Sequence, residues 1–252
     1  MPADSIYSLY LDLVEHGGLA GAMRAAFRDV GSTLSPTELD PPAPSVVFAY
    51  VKDGNRMSQV YIAGEERLFL FDFWGEGVML ADGQTADLHE VARAIDLWIA
   101  KACSCTQLAT DCPCVTLRHD ALIFERGEEV EYTWQMILSS IHRYNAALSE
   151  FVHAAAAQPA LRQLFPYTSL HRFFCFSRCT GHPYTHDIPR VDPLPDGRYE
   201  VIGTGGRSLG IGSAEFAAAL VVASLPAGCG PAVRGTAEDL PGAIMPEEKR
   251  LH

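Results

Sequence analysis

Apolar side chains recur first at helical spacing and then at strand spacing along the N-terminal third of the chain. From Ile6 to Val30 they follow a helical period that the pair Gly17-Gly18 interrupts, which predicts one or two short helices. Residues 35–45 hold four prolines and are predicted to form a loop or linker. An antiparallel meander of strands is predicted next, from the segments VVFAYV, MSQVYIAG, RLFLFDFW and WGEGVMLADG.

The middle of the chain is predicted to be mainly helical. TADLHEVARAIDLWIAKA has an apolar face at helical spacing, and Thr85 is the expected N-cap of that helix. VTLRHDALIF predicts a short strand. One long helical pattern then runs from Val130 to Ala157, and Pro159 begins a further short helix.

The C-terminal third predicts a different arrangement, in which strands precede a helix. SLHRFFCFS, GRYEVIG and GGRSLGIG are predicted as strands, and SAEFAAALVVASLP as a helix with Ser213 at its N-cap. The predicted fold class is α+β, with an N-terminal antiparallel meander with helices, a long connecting helix and a small C-terminal ββα unit. We expect an N-terminal α+β region, a connecting helix, a C-terminal α+β region and a flexible tail over residues 1–128, 129–158, 159–236 and 237–252.

The net charge and the hydropathy of the chain argue against some classes of binding partner. The chain of 252 residues has 19 Lys and Arg against 31 Asp and Glu, a formal net charge of −12. Nucleic-acid binding needs a positive surface for phosphates, so we expect no nucleic-acid partner. No segment reaches the roughly 20 apolar residues that span a bilayer, and the first residues lack the basic region of a signal peptide. We therefore expect a cytoplasmic protein with no membrane partner, whose seven cysteines are thiols, metal ligands or redox groups.

Four of these cysteines lie within twelve residues, as Cys103, Cys105, Cys112 and Cys114. Thiolates are good zinc ligands, so a structural zinc ion is one interpretation of this spacing. Alternation along short strands, which would place each pair of thiols on one buried face, is the interpretation we favour. No cofactor is therefore favoured, and zinc is the alternative.

The segment CFSRCTGHPYTHDIP concentrates the chain's most reactive residue types. Cys175, Cys179, His182 and His186 offer zinc-type ligands, but their spacing is more compressed than that of known zinc fingers. On a strand, Cys175 and Ser177 would share one face while Phe174 and Phe176 share the other. The alternative to a metal site is therefore a core cysteine followed by histidines in a loop.

The same segment supplies the candidate catalytic and binding residues. Arg178 offers a planar donor fork for a carboxylate or phosphate, and Cys179 beside it is expected to have a lowered pKa. His186 and Asp187 are the acid/base candidates. Ser177, Arg178 and Tyr184 are the candidate substrate-binding residues. An ion pair between Arg178 and Asp187 that only fixes the loop is the alternative.

A glycine-rich segment, GTGGRSLGIG from Gly203 to Gly212, has the glycine density of a phosphate-binding loop. A dinucleotide fingerprint requires a helix directly after its glycines, whereas a second strand is predicted here. A glycine-rich hairpin is therefore the predicted structure.

Several segments resemble a known family. LRQLFPYTSLHRFFCFSRCTGHPYTHDIPRVDPLPDGRYEV, SAEFAAALVVASLPAGCGPAVRGTAEDL and WGEGVMLADGQTADLHEVARAIDLWI are similar to an actinobacterial family of unknown function often labelled natural product biosynthesis protein. The resemblance implies an accessory or tailoring protein of a specialised-metabolite pathway, which binds or modifies a small-molecule, carrier-bound or peptide-bound intermediate. It implies no catalytic residues, so enzymatic activity stays open. The alternative, suggested by the acidic charge, is a non-catalytic interaction or immunity-type protein with a basic protein partner.

Overall fold

The chain forms two compact units, Met1–Glu125 and Arg126–His252. A computed structural model describes residues 8–37, 47–169 and 172–244. Within these residues no helix is long and apolar enough to cross a membrane. Most of the Pro-rich segment at 35–45 and the end of the expected tail lie outside the described residues.

The first unit is a five-stranded antiparallel sheet with helices, as predicted for the N-terminal meander. Its strands pair in chain order: β1 (Phe48–Asp53), β2 (Arg56–Ile62), β3 (Phe69–Gly75), β4 (Val78–Thr85) and β5 (Val115–Leu117). Its helices are α1 (Leu11–Glu15), α2 (Leu19–Asp29), α3 (Leu88–Ile95, continued by one π-helical turn, Asp96–Ala100), α4 (Cys105–Asp111) and α5 (Ala121–Arg126), which ends at the division.

The core of the first unit forms where α2 and α3 pack on one face of this sheet. Alternate residues of β3, namely Phe69, Phe71 and Phe73, are buried there together with Phe27 and Trp98. The predicted break between α1 and α2 is confirmed, since Gly17 and Gly18 both take positive φ values of 74° and 110°. The predicted α+β fold class and its N-terminal antiparallel meander are thus confirmed.

Local capping differs from the prediction at the start of α3. Asp87, not Thr85, is the N-cap, and its carboxylate accepts a hydrogen bond from the His89 backbone N–H at 2.8 Å. Thr85 ends β4 and its hydroxyl donates to Glu90 at 2.6 Å. Strand pairing with β3 extends through Thr85 and so delays the helix by two residues.

The second unit is a five-stranded antiparallel sheet covered on one face by helices. Its strands pair in the order β10, β9, β8, β7, β6, and are β6 (Phe165–Ser169), β7 (Phe173–Ser177), β8 (Arg190–Pro193), β9 (Tyr199–Ile202) and β10 (Ser208–Gly212). Its helices are α6 (Glu129–Tyr144), α7 (Ser149–Ala156), α8 (Pro159–Arg162) and α9 (Ala214–Ala223). The expected ββα unit is present as β9, β10 and α9, with Ser213 as the N-cap accepting from the Phe216 N–H at 3.3 Å.

The long connecting helix is instead two helices that pack within the second unit. The first of them, α6, ends before Asn145, whose φ of −154° and ψ of 82° are not helical. A 3₁₀ turn at Ala146–Leu148 then leads into α7. The turn lets Leu148 and Phe151 join Trp134 in one buried cluster. A hydrophobic period alone does not reveal such a break, because both helices keep an apolar face toward the same sheet.

Two strands of the second sheet were not predicted. β8 and most of β6 lie in segments for which no strand was predicted, yet both strands pair with β7. Residues 237–244, expected in a flexible tail, form a 3₁₀ turn at Ala237–Asp239 whose Ala237 is 3% exposed. Residues 245–252 lie outside the described part of the chain.

Candidate functional site

An open cavity of about 550 Å³ lies on the face of the second sheet that points away from its helices. It is lined by residues of β6 to β9, the β9–β10 turn, the loop after β7 and the segment after α9: Tyr167, Phe173, Cys175, His186, Ile188, Arg190, Ile202, Gly203, Thr204, Gly205, Gly206 and Ile244. The cavity therefore brings together two separate segments that the sequence singled out, the reactive loop and the glycine-rich hairpin.

Strand alternation in β7 decides which residues face the cavity. Phe174 and Phe176 are at most 1% exposed and pack against Trp134 in the core, with ring centroids 6.1 Å away in each case. Cys175, between them, lines the cavity. The prediction that these phenylalanines and Cys175 occupy opposite faces is confirmed, because side chains alternate along a strand.

Arg190 supplies the cavity's guanidinium group. Its side chain is held over the Phe173 ring, 4.7 Å from the centroid. Asp192, two residues along β8, accepts from Nε at 3.1 Å and from Nη2 at 3.4 Å. Because the ring and the carboxylate both fix the plane of the guanidinium, Arg190 presents a preoriented donor edge rather than a mobile charge.

Half-buried Tyr167 and buried Cys175 lie side by side in the cavity wall, at directly paired positions of β6 and β7. Burial raises the pKa of the Cys175 thiol to about 12, and burial also raises the pKa of Tyr167. Both groups are therefore neutral at physiological pH and can act as hydrogen-bonding groups rather than as anions.

His186 is the one acid/base candidate that lines the cavity. Its backbone N–H donates to the Ile244 carbonyl at 2.7 Å, which fixes the loop at this point. Partial burial lowers the pKa of the imidazole, His182 acts in the same direction, and Asp187 partly opposes both. At neutral pH the ring is thus uncharged and can accept a proton.

Tyr184 lies behind the cavity wall. Its ring is 4.5 Å from that of Tyr167 and 5.5 Å from that of Phe165, centroid to centroid. Burial raises the pKa of its hydroxyl. Tyr184 therefore supports the position of Tyr167, and it does not line the cavity itself.

Arg178 and Asp187 form the ion pair that was weighed as the structural alternative. Arg178 Nε donates to Asp187 Oδ2 at 2.7 Å, and Nη2 contacts the same oxygen. The Asp187 side chain is only 7% exposed, and its other oxygen, Oδ1, is buried without a hydrogen-bond partner among the described residues. Neither residue lines the cavity, so this pair fixes the loop beside it.

The side chains of Ser177 and Cys179 also contact backbone groups of this loop and stabilise it. The Ser177 hydroxyl oxygen accepts from the backbone N–H of Cys179 at 3.0 Å and of Thr185 at 3.2 Å. The Cys179 thiol is fully buried and donates to the carbonyls of Gly181 at 3.5 Å and Pro183 at 3.6 Å. The lowered pKa expected for this thiol was wrong: burial raises it, and the opposing effect of the Arg178 charge is smaller.

The loop after β7 is tied by backbone hydrogen bonds to the segment after α9. Arg178 carbonyl accepts from the Val233 N–H at 2.9 Å, and the Val233 carbonyl accepts from the Thr180 N–H at 3.1 Å. The Ala237 N–H donates to the Pro183 carbonyl at 2.8 Å. The C-terminal segment therefore holds the loop that forms one wall of the cavity.

The cysteines of the first unit do not lie on strands. Ser104 caps α4 by accepting from the Gln107 N–H at 3.1 Å, so Cys105 begins that helix and Cys112 follows its end. The prediction that these cysteines alternate along short strands was thus wrong, because the Ser104 cap begins a helix over Cys105–Asp111. Burial raises the pKa of both Cys105 and Cys112 to about 11.

The arrangement of the described side chains does not support metal binding by either candidate ligand set. All four clustered cysteines lie in the described part of the chain, as do Cys175, Cys179, His182 and His186. Within residues 8–37, 47–169 and 172–244 no group of three or more His, Cys, Asp or Glu side chains is arranged to hold a metal ion.

The residues that sequence analysis missed are Tyr167, Phe173 and Arg190. They lie on the cavity side of β6, β7 and β8, and of these strands β6 and β8 were not predicted. The alternating pattern of FPYTS and RVDP could have indicated them, but both segments contain proline, which argues against central strands.

Comparison with models of known families gives a match over part of the chain. The model of a family described as "Family of unknown function (DUF6193)" matches residues 128–236, which include every residue lining the cavity except Ile244. A search of curated proteins and a search of solved structures each found no match. Residues 128–236 of this chain are therefore similar to the DUF6193 family, whose function is unknown.

Proposed function

We propose that the second unit binds a small organic molecule with an anionic group in the cavity on its sheet. The observation that carries the proposal is the preoriented guanidinium of Arg190 in a cavity whose other lining residues are mostly apolar, aromatic or glycine. A volume of about 550 Å³ lies within the range typical of small-molecule sites.

The arrangement of polar groups favours a carboxylate or phosphate at one end of the ligand. Asp192 engages Nε and Nη2 of Arg190, so the anionic group approaches the remaining donor edge. At the glycine-rich turn, a Cβ added at Gly205 would meet no heavy atom within 4 Å. That open space lets a ligand approach the backbone of the turn closely.

Binding is better supported than covalent catalysis. Cys175 and Cys179 both have raised pKa values and are protonated at neutral pH, whereas a nucleophilic cysteine needs a lowered one. Of the acid/base candidates, only His186 lines the cavity. If the ligand is modified as well as bound, His186 is the group that would move a proton.

We place this activity in the cytoplasm, as an accessory or tailoring step of natural product biosynthesis. The support is the resemblance of the loop and C-terminal segments described above. The intermediate would be free or bound to a carrier or peptide, with its anionic end at Arg190. Deleting the gene in its native host and profiling metabolites tests this biological role, and an unchanged product spectrum would remove it.

Binding itself is tested with a matched pair of glycine variants. Gly205→Phe adds a ring at a cavity-lining position, and Gly230→Phe adds one outside the cavity; at both sites an added Cβ meets no heavy atom within 4 Å. Each protein is incubated with a small-molecule extract of the native host, washed and analysed by mass spectrometry. We expect a retained compound with the wild type and Gly230→Phe, and at least about tenfold less with Gly205→Phe. Equal retention by all three proteins would refute the cavity as the site.

A further inference from the structure

The face of the first sheet that points away from α2 and α3 carries a broad aromatic and apolar surface. Leu70 and Trp74 alternate along β3 with the buried phenylalanines, so they lie on this outer face. Leu70 is directly paired with Tyr61 of β2, which is paired with Phe48 of β1, and Trp74 is paired with Met57 of β2. Tyr61 and Leu70 are 41% and 39% exposed. Exposed apolar surfaces of this kind are typical of interaction sites.

Two carboxylates lie in the middle of the outer face. Asp72, between Leu70 and Trp74 on β3, is directly opposite Asp82 of β4, and like charges at opposed positions destabilise a sheet. Among the residues that the structure describes, no ion pair joins either carboxylate to a basic side chain. Burial raises the pKa of Asp72, the Gln59 backbone N–H and the Trp74 indole lower it, and Asp82 raises it. The outer face therefore has a centre of negative charge with no cation beside it.

Charge complementarity and the neighbouring rings favour a basic occupant. A guanidinium or ammonium group between Asp72 and Asp82 would relieve their repulsion. The Trp74 ring is two residues from Asp72 on the same face, and Tyr61 is near enough that the Asp72 charge, after burial, raises the pKa of its hydroxyl. Cations are attracted to the faces of such rings. The lysine of this face, Lys52 on β1, is separated from Asp72 by β2, so it does not supply the cation.

We propose that the outer face binds a basic peptide segment of a partner protein, with one arginine or lysine side chain between Asp72 and Asp82. Apolar neighbours of that side chain pack on Tyr61, Leu70 and Trp74. A second copy of this chain is a poorer occupant, because two outer faces packed together would bring four carboxylates into one interface. The net charge of −12 adds to that repulsion. The surface belongs to the first unit, so the proposal is independent of the cavity on the second.

Tryptophan fluorescence tests the binding directly. Trp98 and Trp134 are 2% and 0% exposed, so a ligand on the surface changes mainly the emission of the half-buried Trp74. The probe is the tryptophan-free peptide acetyl-Leu-Arg-Leu-Arg-Leu-amide, titrated at about 0.15 M salt, which screens non-specific attraction to the acidic chain. We expect a saturable change with a dissociation constant below about 1 mM. The same peptide with glutamine in place of arginine should bind at least about tenfold more weakly.

Asp72→Asn and Asp82→Asn separate a binding role from a structural one. Each removes one of two opposed charges, so stability against urea should stay equal or rise. The dissociation constant of the arginine peptide should nevertheless rise by at least about fivefold. Glu65→Gln, at an exposed position between β2 and β3, is the matched control for net charge and should leave that constant within about twofold of wild type.

Several results would overturn the proposal. One is a wild type whose emission does not saturate with the arginine peptide. Equal weakening by Glu65→Gln and Asp72→Asn would show attraction by net charge alone. Binding of N-acetyl-arginine amide as tightly as the peptide would show that the face takes a small cation instead. A dimer in sedimentation velocity that Leu70→Ser weakens would identify a second copy as the occupant.

Discussion

Arg178 and Asp187 form a mostly buried ion pair in which two guanidinium nitrogens contact one carboxylate oxygen, Oδ2, with Nε at 2.7 Å. The pair joins the end of β7 to the far end of the loop that forms one wall of the cavity. Its side chains are 21% and 7% exposed, so water screens their attraction only weakly. The pair therefore links the stability of the second unit to the shape of its candidate binding site.

Arg178→Met should destabilise the second unit by about 3 kcal/mol, because it leaves the Asp187 carboxylate buried without its cation. The free energy of unfolding is measured by urea denaturation. Arg198→Met is the control: it removes an ion pair with Asp196 whose side chains are 58% and 52% exposed, and exposed pairs contribute at most about 1 kcal/mol. Similar losses for the two variants would contradict the structural importance of the buried pair.

The buried thiols should be almost unreactive in the native protein. With a pKa of about 11, Cys105 and Cys112 are thiolates in only about one molecule in a thousand at pH 8. Cys175, with a pKa of about 12, should be less reactive still. Alkylation with iodoacetamide followed by peptide mass spectrometry should label the partly exposed Cys103, Cys114 and Cys229 first. Fast labelling of Cys105 or Cys175 without unfolding would contradict the burial of these thiols.

Stability should fall as the pH decreases through the titration range of His186. The folded-state pKa lies below the ordinary value of 6.5, so between the two values the unfolded chain binds more protons and acid favours unfolding. Melting temperatures between neutral pH and pH 5 should therefore decline less steeply in His186→Gln than in the wild type. His142→Gln, at an exposed position of α6, is the control variant. An identical slope in all three proteins would contradict the prediction.

Gly83→Ala should destabilise the first unit by about 2 kcal/mol. An added Cβ would lie 2.4 Å from a ring carbon of Phe71 and 2.9 Å from the Cys114 carbonyl oxygen, and such overpacking forces neighbouring groups to shift. Gly64→Ala is the matched control, since a Cβ there meets no heavy atom within 4 Å. Urea denaturation of the full chain measures both variants, and an unchanged midpoint for Gly83→Ala would show that β3 and β4 can separate without cost.

Sequence patterns predicted those elements whose signals are local. Helix caps and hairpin glycines act over a few residues, so Ser213 and the β9–β10 hairpin were placed correctly. Strand alternation likewise assigned Phe174 and Cys175 to opposite faces of β7. The same local reasoning failed at Cys105, where the cap residue Ser104 was not recognised and a helix took the place of a strand.

The sequence by itself determined the α+β class, the meander of the first unit and the segment in which reactive residues concentrate. Only the tertiary structure decided which of those residues share a cavity. Tyr167, Arg190 and the turn at Gly203–Gly206 become neighbours through the pairing of β6 to β10, and hydrogen bonds between strands carry no periodic signal along the chain. Burial, also a tertiary property, raised the pKa of Cys179 where its neighbour Arg178 alone predicted a lowered one.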